Sequence, residues 1–264
     1  MDHITAGEYW NKNAEAWTKL ARAGYDVYRD HLNTPGFLAM LPPVVGLYGL
    51  DIGCGEGHNT RKVAALGASM AAIDIAEVFI RHARSEETRV PLGIIYQQAS
   101  AVELPFAEGE FDFATAFMSV MDIPETERVL AEAFRILKPN GFLQFSLLHP
   151  CFNPPHRRAC RDEDNVAYAI EVGDYFIDAK GRIDEWTFGV APLSVRERIP
   201  KFKVPRFHRP ISQWFNLLIA AGFLVERVEE PMPSDEVVRA WPVLQEAQVA
   251  ANFLHVRVRK PGAK

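Results

Sequence analysis

The stretch that decides the fold is Leu50-Asp51-Ile52-Gly53-Cys54-Gly55-Glu56-Gly57. It ends an apolar run at residues 47–52 and opens the segment GHNTRKVAALG at residues 57–67, which is typical of a helix. Glycines between a strand and a helix allow a tight turn and a close approach of the backbone to a bound ligand. The spacing is GxGxG, whereas GxGxxG is the spacing that seats a dinucleotide pyrophosphate. The stretch therefore predicts a ligand-binding turn and disfavours a dinucleotide oxidoreductase.

Outward from this turn, short apolar runs alternate with helical segments. The runs occupy residues 47–52, 69–73, 94–97, 111–117 and 142–148. Three helices are predicted between these runs. The first is closed by Gly67, the second covers EVFIRHARSEE, and the third has Pro124 as its first residue and continues to Leu137. A turn at LKPNG follows the third helix. Near-continuous apolar strands joined by helices indicate a parallel sheet covered on both faces, and right-handed crossovers make it doubly wound.

The alternation divides the chain into three parts. Residues 1–43 are predicted to be a helical lid, with one or two amphipathic helices that end near Thr34-Pro35-Gly36. Residues 44–149 and 210–264 are the α/β core, in which a helix near 211–221 and strands at 223–229 and 253–259 complete the sheet. Residues 150–209 are rich in proline, aromatic and charged residues and are predicted to be an insert, with a hairpin around Lys180-Gly181.

Composition excludes several classes of protein. Of the 264 residues, 48% are hydrophobic and 24% are charged, which are globular proportions that exclude disorder. Three cysteines, far apart, provide no disulfide framework and no four-thiolate zinc site. A net charge of −5 argues against nucleic acid as the main partner. The first residues, MDHITAGEYWNKN, have neither a basic start nor an apolar run, so we expect a cytoplasmic protein without a membrane segment.

Asp74 ends the second predicted strand. A carboxylate at that position can accept hydrogen bonds from both hydroxyls of a ribose, as the equivalent acid does in dinucleotide enzymes. The alternative is a solvated acid at a strand end.

Taken together, these segments resemble the class I S-adenosylmethionine-dependent methyltransferases, especially their small-molecule branch. The resemblance rests on GLDIGCGEG, AAIDIA, QASAVELPF, EFDFATAFMSVMD and RILKPNGFLQFS, in this order. It is strong over residues 45–149 and looser over 210–260. It implies a Rossmann-like fold with a mostly parallel seven-stranded sheet, helices on both faces and an antiparallel last strand. Because residues 253–259 alternate polar and apolar side chains, we expect one face of that strand to be incompletely covered.

The resemblance also implies a set of cofactor-binding residues. The methionine and ribose side would be lined by residues of the glycine turn and the helix after it: Asp51, Gly53, Cys54, Gly55, Gly57, Asn59 and Thr60. Asp74 and Ile75 would hold the ribose and adenine, Ser100 and Ala101 would lie near the adenine, and Phe117 and Met118 would lie beside the sulfonium. Family members often carry an acid where this chain has Ser100. Arg29 resembles an arginine that binds the methionine carboxylate in some relatives, and Trp17 is a candidate lid residue; for both, an ordinary structural role stays open.

Methyl transfer from a sulfonium mainly requires alignment of the acceptor and exclusion of water, since the cofactor supplies the activated methyl group. A general base is needed only when the acceptor is protonated at neutral pH. The candidate base is His149, which ends the run FSLLHP, because strand carboxyl ends point at the ligand crevice of an open sheet. The alternative is a histidine hydrogen-bonded in the wall of the site. His208 is a weaker candidate, with a surface loop as its alternative.

The sequence therefore predicts a methyltransferase that uses S-adenosylmethionine, yields S-adenosylhomocysteine, and acts on a small organic acceptor without a metal. Aromatic residues of the insert would suit a planar or apolar acceptor. The basic run VRERIPKFKVPRF leaves RNA or protein methylation open, although its alternation also fits an edge strand. A protein that binds the cofactor without turnover is a further alternative. The sequence does not specify the acceptor, the methylated atom or the oligomeric state.

Overall fold

The computed structural model describes residues 1–262. Its strands are β1 Tyr48–Ile52, β2 Ser69–Asp74, β3 Ile95–Gln98, β4 Phe111–Phe117, β5 Leu137–Leu148, β6 His156–Arg161, β7 Ala167–Gly173, β8 Arg182–Trp186, β9 Phe202–Arg206, β10 Leu224–Glu229 and β11 Phe253–Arg259. Its α-helices are α1 His3–Arg22, α2 Thr34–Met40, α3 His58–Ala65, α4 Glu77–Arg89, α5 Thr126–Ile136, α6 Leu193–Arg196, α7 Ile211–Ala220, α8 Asp235–Ala240 and α9 Glu246–Val249. A π-helical turn spans Arg29–Asn33, and 3-10 turns span Val120–Asp122 and Pro242–Gln245.

Seven strands form one sheet in the order β10-β11-β5-β4-β1-β2-β3. The pairs β1–β2, β1–β4, β2–β3 and β4–β5 are parallel, whereas β11 lies between β5 and β10 and is antiparallel to both. The predicted doubly wound sheet with an antiparallel last strand is confirmed. Gly67 follows α3 with φ of 93°, so the predicted glycine at the end of that helix is also confirmed.

Two apolar cores cover the two faces of the sheet. Adjacent residues of β2 point to opposite faces, and they divide accordingly: Ala71 packs in one core and Ala72 in the other. The first core holds the apolar sides of α5 and α7, and the second holds those of α2, α3 and α4. Helices on both faces leave the carboxyl edge of the parallel strands as the place where a ligand can approach.

Four local predictions are wrong. The helix predicted from Pro124 begins at Thr126, whose Oγ1 donates to the carbonyl of Ile123 at 2.8 Å. Residues 137–141 are not a separate turn, since β5 begins at Leu137 and its register to β4 shifts there. Thr34 begins α2 instead of ending a helix. Lys180-Gly181 is not a hairpin turn, because β8 pairs with β9 across a longer loop that contains α6.

The expectation that β11 has an incompletely covered face is also wrong. His255 is fully buried, and its Nε2 lies 2.7 Å from Oδ1 of Asn33 in the π-helical turn. Arg257 is 7% exposed and donates to the carbonyl of Met40 at the end of α2. The polar side chains of this strand therefore satisfy the backbone and side chains of the N-terminal helices that cover it.

Within residues 1–262, no helix combines the length and the apolar character that a membrane span requires.

Candidate functional site

A cavity of about 590 Å³ lies where β1, β2 and β4 end. Its volume falls within the ~300–1,000 Å³ typical of small-molecule and cofactor sites. Most residues that the sequence predicted for the cofactor line it: Trp17, Arg29, Asp51, Gly53, Cys54, Gly55, Asn59, Asp74, Ile75, Ser100, Ala101, Phe117 and Met118. The structure thus brings residues from α1, the glycine turn and four strand ends to one cavity.

Asp74 is a buried acid that lines the cavity and contacts the glycine turn. Its Oδ2 accepts from the backbone N–H of Gly55 at 2.9 Å, and its Oδ1 accepts from that of Ala76 at 2.8 Å. Burial raises the pKa of Asp74 to about 6, although these backbone donors oppose the shift. Each carboxylate oxygen keeps further acceptor capacity toward the cavity.

Asp51 is fixed by two hydroxyl groups. Thr60 Oγ1 donates to its Oδ2 at 2.5 Å, and Thr115 Oγ1 donates to its Oδ1 at 2.9 Å. Burial raises the pKa of Asp51 to about 6 as well. Thr60 itself does not line the cavity, and it is placed to position Asp51 instead of contacting a ligand.

The glycines of the turn have different surroundings. Gly53, Gly55 and Gly57 all have positive φ, at 74°, 55° and 85°. A Cβ on Gly53 would lie 2.3 Å from Cβ of Ser119, and one on Gly57 would lie 2.6 Å from the hydroxyl of Tyr96. A Cβ on Gly55 would meet nothing within 4 Å, because that side of the residue is open. Gly57 lies outside the cavity, so its role is to begin α3, whereas Gly55 presents bare backbone to the cavity.

Arg29 lines the cavity within a network of acids. Its Nε donates to Asp30 at 2.8 Å, and one terminal nitrogen donates to Glu56 at 3.2 Å. Asp26 lies 3.8 Å away, and burial raises the pKa of that carboxyl to about 6. The guanidinium carries five N–H groups, so it keeps donors beyond these contacts.

Three further predicted residues are held by local contacts. Asn59 Oδ1 accepts from Thr34 Oγ1 at 2.8 Å, and Ser100 Oγ accepts from the N–H of Val102 at 3.3 Å. Burial raises the pKa of the Cys54 thiol well above its usual value, so this cysteine stays protonated at neutral pH and is a packing residue in the turn.

The structure does not support His149 as the general base. The ring is 2% exposed and does not line the cavity. Its Nδ1 accepts from the backbone N–H of Cys151 at 3.1 Å, so Nε2 carries the proton and donates to Glu230 at 2.7 Å. Burial lowers the pKa of His149 more than the Glu230 carboxylate raises it. With both nitrogens occupied, His149 joins the end of β5 to the loop after β10.

Residues 150–209, by contrast, supply a large part of the cavity wall. Trp17 of α1 makes edge-to-face contacts with Trp186 and Phe188 at centroid distances of 5.2 and 5.1 Å. His208 also lines the cavity, and its Nε2 lies 2.8 Å from the carbonyl of Tyr175, which requires that nitrogen to donate. Asp122, an acid that the sequence analysis did not single out, also lines the cavity.

Comparison with known proteins identifies the class of this site. Residues 50–145 match the family model described as a methyltransferase domain. The malonyl-[acyl-carrier protein] O-methyltransferase of Pectobacterium atrosepticum is 31% identical over 144 residues, which are 53% of this chain and 55% of that protein. Sterol methyltransferase-like 2 of Botryococcus braunii is 31% identical over 144 residues, or 53% of this chain and 36% of that protein. The chain thus spans about half, or less, of the length of these curated relatives.

A solved structure extends the similarity to most of the chain. The S-adenosylmethionine dependent methyltransferase from Mesorhizobium loti superimposes with a TM-score of 0.69 at 27% identity, covering 86% of this chain and 96% of that chain. The sheet and its helices thus form a Rossmann-like methyltransferase fold. Residues 50–145 thus match a methyltransferase domain, and the fold is that of S-adenosylmethionine-dependent methyltransferases, whose cofactor is S-adenosylmethionine.

The residues present fit this cofactor. A ribose needs an acceptor for its hydroxyls, and the buried Asp74 carboxylate faces the cavity from the end of β2. A ligand can lie close to the backbone of the glycine turn only where no Cβ is in the way, and the space beside Gly55 is open. An adenine ring needs an apolar slot, which Ile75, Phe79 and Ala101 provide on the cavity wall.

Proposed function

We propose that the chain transfers the methyl group of S-adenosylmethionine to a small organic acceptor. The observation that carries the proposal is that one cavity is lined both by the glycine turn with Asp74 and by aromatic residues of the insert at 150–209. A cofactor on the first wall and an acceptor against the second would share one enclosed space. Such enclosure excludes water and aligns the acceptor, which is the main task of the protein in this reaction.

The proposal assigns the cavity wall in two parts. Asp74 and Ile75 would hold ribose and adenine, with Ser100 and Ala101 beside the base, and Phe117 and Met118 would border the sulfonium. The methionine end would contact the remaining residues of the cofactor wall: Trp17, Arg29, Asp51, Gly53, Cys54, Gly55 and Asn59. When bound, the cofactor supplies a methyl group that is already activated for displacement. Residues 1–43 would act as the lid and residues 150–209 as the acceptor-binding cap.

The basic run in the insert favours a small acceptor over RNA. Arg209 is 8% exposed and donates to the carbonyl of Pro124 at 2.9 Å. Arg206 donates to Asp184 at 3.1 Å, and Lys203 pairs with Glu185 at 3.4 Å. Because these side chains are turned inward or paired, fewer positive charges of the run are free than its sequence suggests. RNA binding depends on free positive charges that contact phosphates, so this arrangement favours a small acceptor.

The test is the destination of a labelled methyl group. The full chain is incubated with methyl-labelled S-adenosylmethionine and a cell extract separated into small molecules, RNA and protein. We expect label in the small-molecule fraction only. Label in RNA or protein would support the alternative acceptors, and absence of transfer to any fraction, with the cofactor bound, would support a binding protein without turnover.

Gly55 provides a prediction for the cofactor wall. Gly55→Ala adds a Cβ on the open side of the turn, so we expect the affinity for S-adenosylhomocysteine to fall roughly tenfold or more, ~1.4 kcal/mol. Gly46→Ala is the matched control, since Gly46 also has a positive φ, at 76°, and an open Cβ direction but lies outside the cavity. Both variants should lose about 1–2 kcal/mol of folding stability from the left-handed backbone. Calorimetric affinities that are equal in the two variants would contradict the assignment.

A further inference from the structure

We propose that Asp122 is the base that faces the acceptor in this cavity, and that the acceptor is an aromatic or apolar molecule whose nucleophile is a phenol-like hydroxyl. This inference rests on the proposed function. It assigns the general base of the reaction to Asp122 instead of His149, and it specifies the chemical class of the acceptor.

The backbone after β4 brings Asp122 to the cavity. Met118 has a positive φ of 56°, and its N–H donates to the carbonyl of Ser146 at 3.1 Å. Strained backbone in a non-glycine residue concentrates at functional sites. Ser119 then donates through Oγ to the carbonyl of Ile52 at 2.5 Å, and the N–H of Asp122 closes the turn on the carbonyl of Ser119 at 3.0 Å. These contacts therefore hold Asp122 four residues after Met118, which would border the sulfonium together with Phe117.

The Asp122 carboxyl has no partner among residues 1–262. It accepts no hydrogen bond there and lies within 4 Å of no cationic nitrogen, yet it is only half-buried and lines the cavity. The other cavity acids described above, Asp51, Asp74 and Asp184, each accept hydrogen bonds from named donors. Of these four acids, Asp122 is therefore the one whose carboxyl oxygens are both left to accept from a bound ligand.

The neighbouring charges come from the segment that covers this turn. Arg209 donates to the carbonyls of Ile123 and Pro124, directly after Asp122, and its guanidinium lies 5.5 Å from the ring of Trp214. Arg206 is held by Asp184 and by the carbonyl of Pro154 at 3.1 Å. Both arginines are thus engaged elsewhere, although their charges act on Asp122.

The balance of these effects keeps Asp122 largely protonated at pH 7 and makes it a proton acceptor as the pH rises through about 8. Burial raises the pKa of Asp122 to about 8, and the charges of Arg206 and Arg209 lower it less than burial raises it. His208, on the same cavity wall, is neutral at pH 7, because burial lowers its pKa. Its Nε2 is committed to Tyr175, so it adds no charge beside the acid.

The same charges select the acceptor. Two guanidinium groups near the carboxyl oppose a cationic ammonium, whereas a neutral hydroxyl is not repelled. An aromatic hydroxyl has a pKa near 10, close enough to that of Asp122 for proton transfer to assist the reaction. Aromatic side chains of the insert, Trp186 and Phe207, also line the cavity.

In the proposed step, a methyl group moves from sulfur to oxygen and a proton moves from that oxygen to Asp122. The hydroxyl oxygen forms a bond to the methyl carbon while the sulfur–carbon bond breaks and its electron pair remains on sulfur. The hydroxyl proton passes to the Asp122 carboxylate, which later releases it to solvent. A cation, a neutral alcohol and a carboxylate become a thioether, a methyl ether and a carboxylic acid.

The test uses 4-propylphenol, its methyl ether 4-propylanisole, and 4-propylbenzylamine as probes on the protein saturated with S-adenosylhomocysteine. At about pH 9, where Asp122 is ionised, we expect calorimetry to give at least a roughly tenfold preference of the wild type for the phenol over the ether, since the hydrogen bond is then to a charged group. In Asp122→Asn this preference should fall to within about threefold, while the control Asp164→Asn, an exposed acid outside the cavity, should retain it. The preference should grow in the wild type between about pH 6 and about pH 9, and should be flat in Asp122→Asn.

Affinity for S-adenosylhomocysteine distinguishes a failure of the proposed function from a failure of the inference about Asp122. If the wild type fails to bind it, the proposed function fails. If it binds equally to the wild type and to Asp122→Asn, but the phenol and ether bind alike, or neither binds up to its solubility limit, the inference about Asp122 is overturned alone. Tighter binding of the benzylamine than of the phenol would also overturn it, in favour of an amine acceptor.

Discussion

Asp74→Ala should weaken binding of S-adenosylhomocysteine by roughly 30- to 1,000-fold, or about 2–4 kcal/mol, because the proposed ribose site loses two charge-assisted hydrogen bonds. The variant also removes the acceptor for the N–H groups of Gly55 and Ala76, so the glycine turn loses its anchor to the end of β2. Isothermal titration of the purified variant measures the loss directly.

Asp112→Ala is the matched control for this substitution. The Asp112 carboxylate also accepts a backbone N–H, that of Tyr48 at 2.9 Å, and it pairs with Lys138 at 2.6 Å. It lies outside the cavity. We expect Asp112→Ala to lose folding stability while retaining its affinity for S-adenosylhomocysteine. Equal affinities of the Asp74→Ala and wild-type proteins would show that Asp74 does not hold the ligand.

The ionisation of Asp74 adds a dependence on pH. Because its folded pKa of about 6 is raised, the folded protein without ligand binds this proton more tightly than the unfolded chain does. Its contribution to stability is therefore present at low pH and is lost as the pH rises through about 6. Ligand affinity should change in the opposite direction, since ribose hydroxyls donate to the carboxylate. Titrations at about pH 5 and about pH 7 should show weaker binding at the lower pH in the wild type and a smaller change in Asp74→Ala.

Gly53→Ala should lower the free energy of unfolding by roughly 2–5 kcal/mol. The added Cβ would lie 2.3 Å from Cβ of Ser119 and 2.8 Å from its Oγ, in a turn whose φ of 74° already disfavours alanine. Overpacking costs about 1–3 kcal/mol and the left-handed backbone about 1–2 kcal/mol. Urea denaturation of the purified variant gives the difference.

The same substitution in a Ser119→Gly variant separates the cost of overpacking from the cost of backbone strain. Ser119→Gly removes the Cβ that would overlap, so Gly53→Ala introduced into that background should cost only the ~1–2 kcal/mol of backbone strain. The coupling between the two substitutions is then the overlap itself. If Gly53→Ala costs the same in both backgrounds, the close packing of the glycine turn against Ser119 does not determine its stability.

The sheet and the part of the cavity wall around the glycine turn were predictable because their signals are local. Each strand is a short apolar run between helical segments, and the order of the runs along the chain fixes a right-handed, doubly wound topology. The turn at residues 50–57 and Asp74 follow directly from strand ends, and parallel strands bring their carboxyl ends to one edge. No long-range contact needed to be known for these residues to line one cavity.

His149 shows where such reasoning stops. Its position at the end of β5 was compatible with either a catalytic or a wall residue, and the decision lies in contacts that sequence spacing does not encode. The N–H of Cys151 and the carboxylate of Glu230, 81 residues away, occupy its two nitrogens. Asp122 is the converse case, since its only sequence signal is an acid shortly after the apolar strand β4. Its importance appears only when the segment after β9 covers that turn.

The insert was predictable as an interruption but not in its pairing. Residues near Lys180-Gly181 have the composition of a hairpin turn, yet β8 pairs with β9 across residues 187–201. Lys180 and Gly181 have φ of 48° and 80°, so the local turn propensity is satisfied without a hairpin. The aromatic contacts of Trp17 with Trp186 and Phe188 then decide where the insert lies, and these contacts join residues about 170 positions apart.

The most direct test of the account is isothermal titration of the full chain with S-adenosylhomocysteine, with NADH titrated in parallel. The account predicts one site per chain with a dissociation constant in the micromolar range, roughly −7 to −8 kcal/mol, and no measurable binding of NADH. Absence of S-adenosylhomocysteine binding, or tighter binding of NADH at the same cavity, would contradict it.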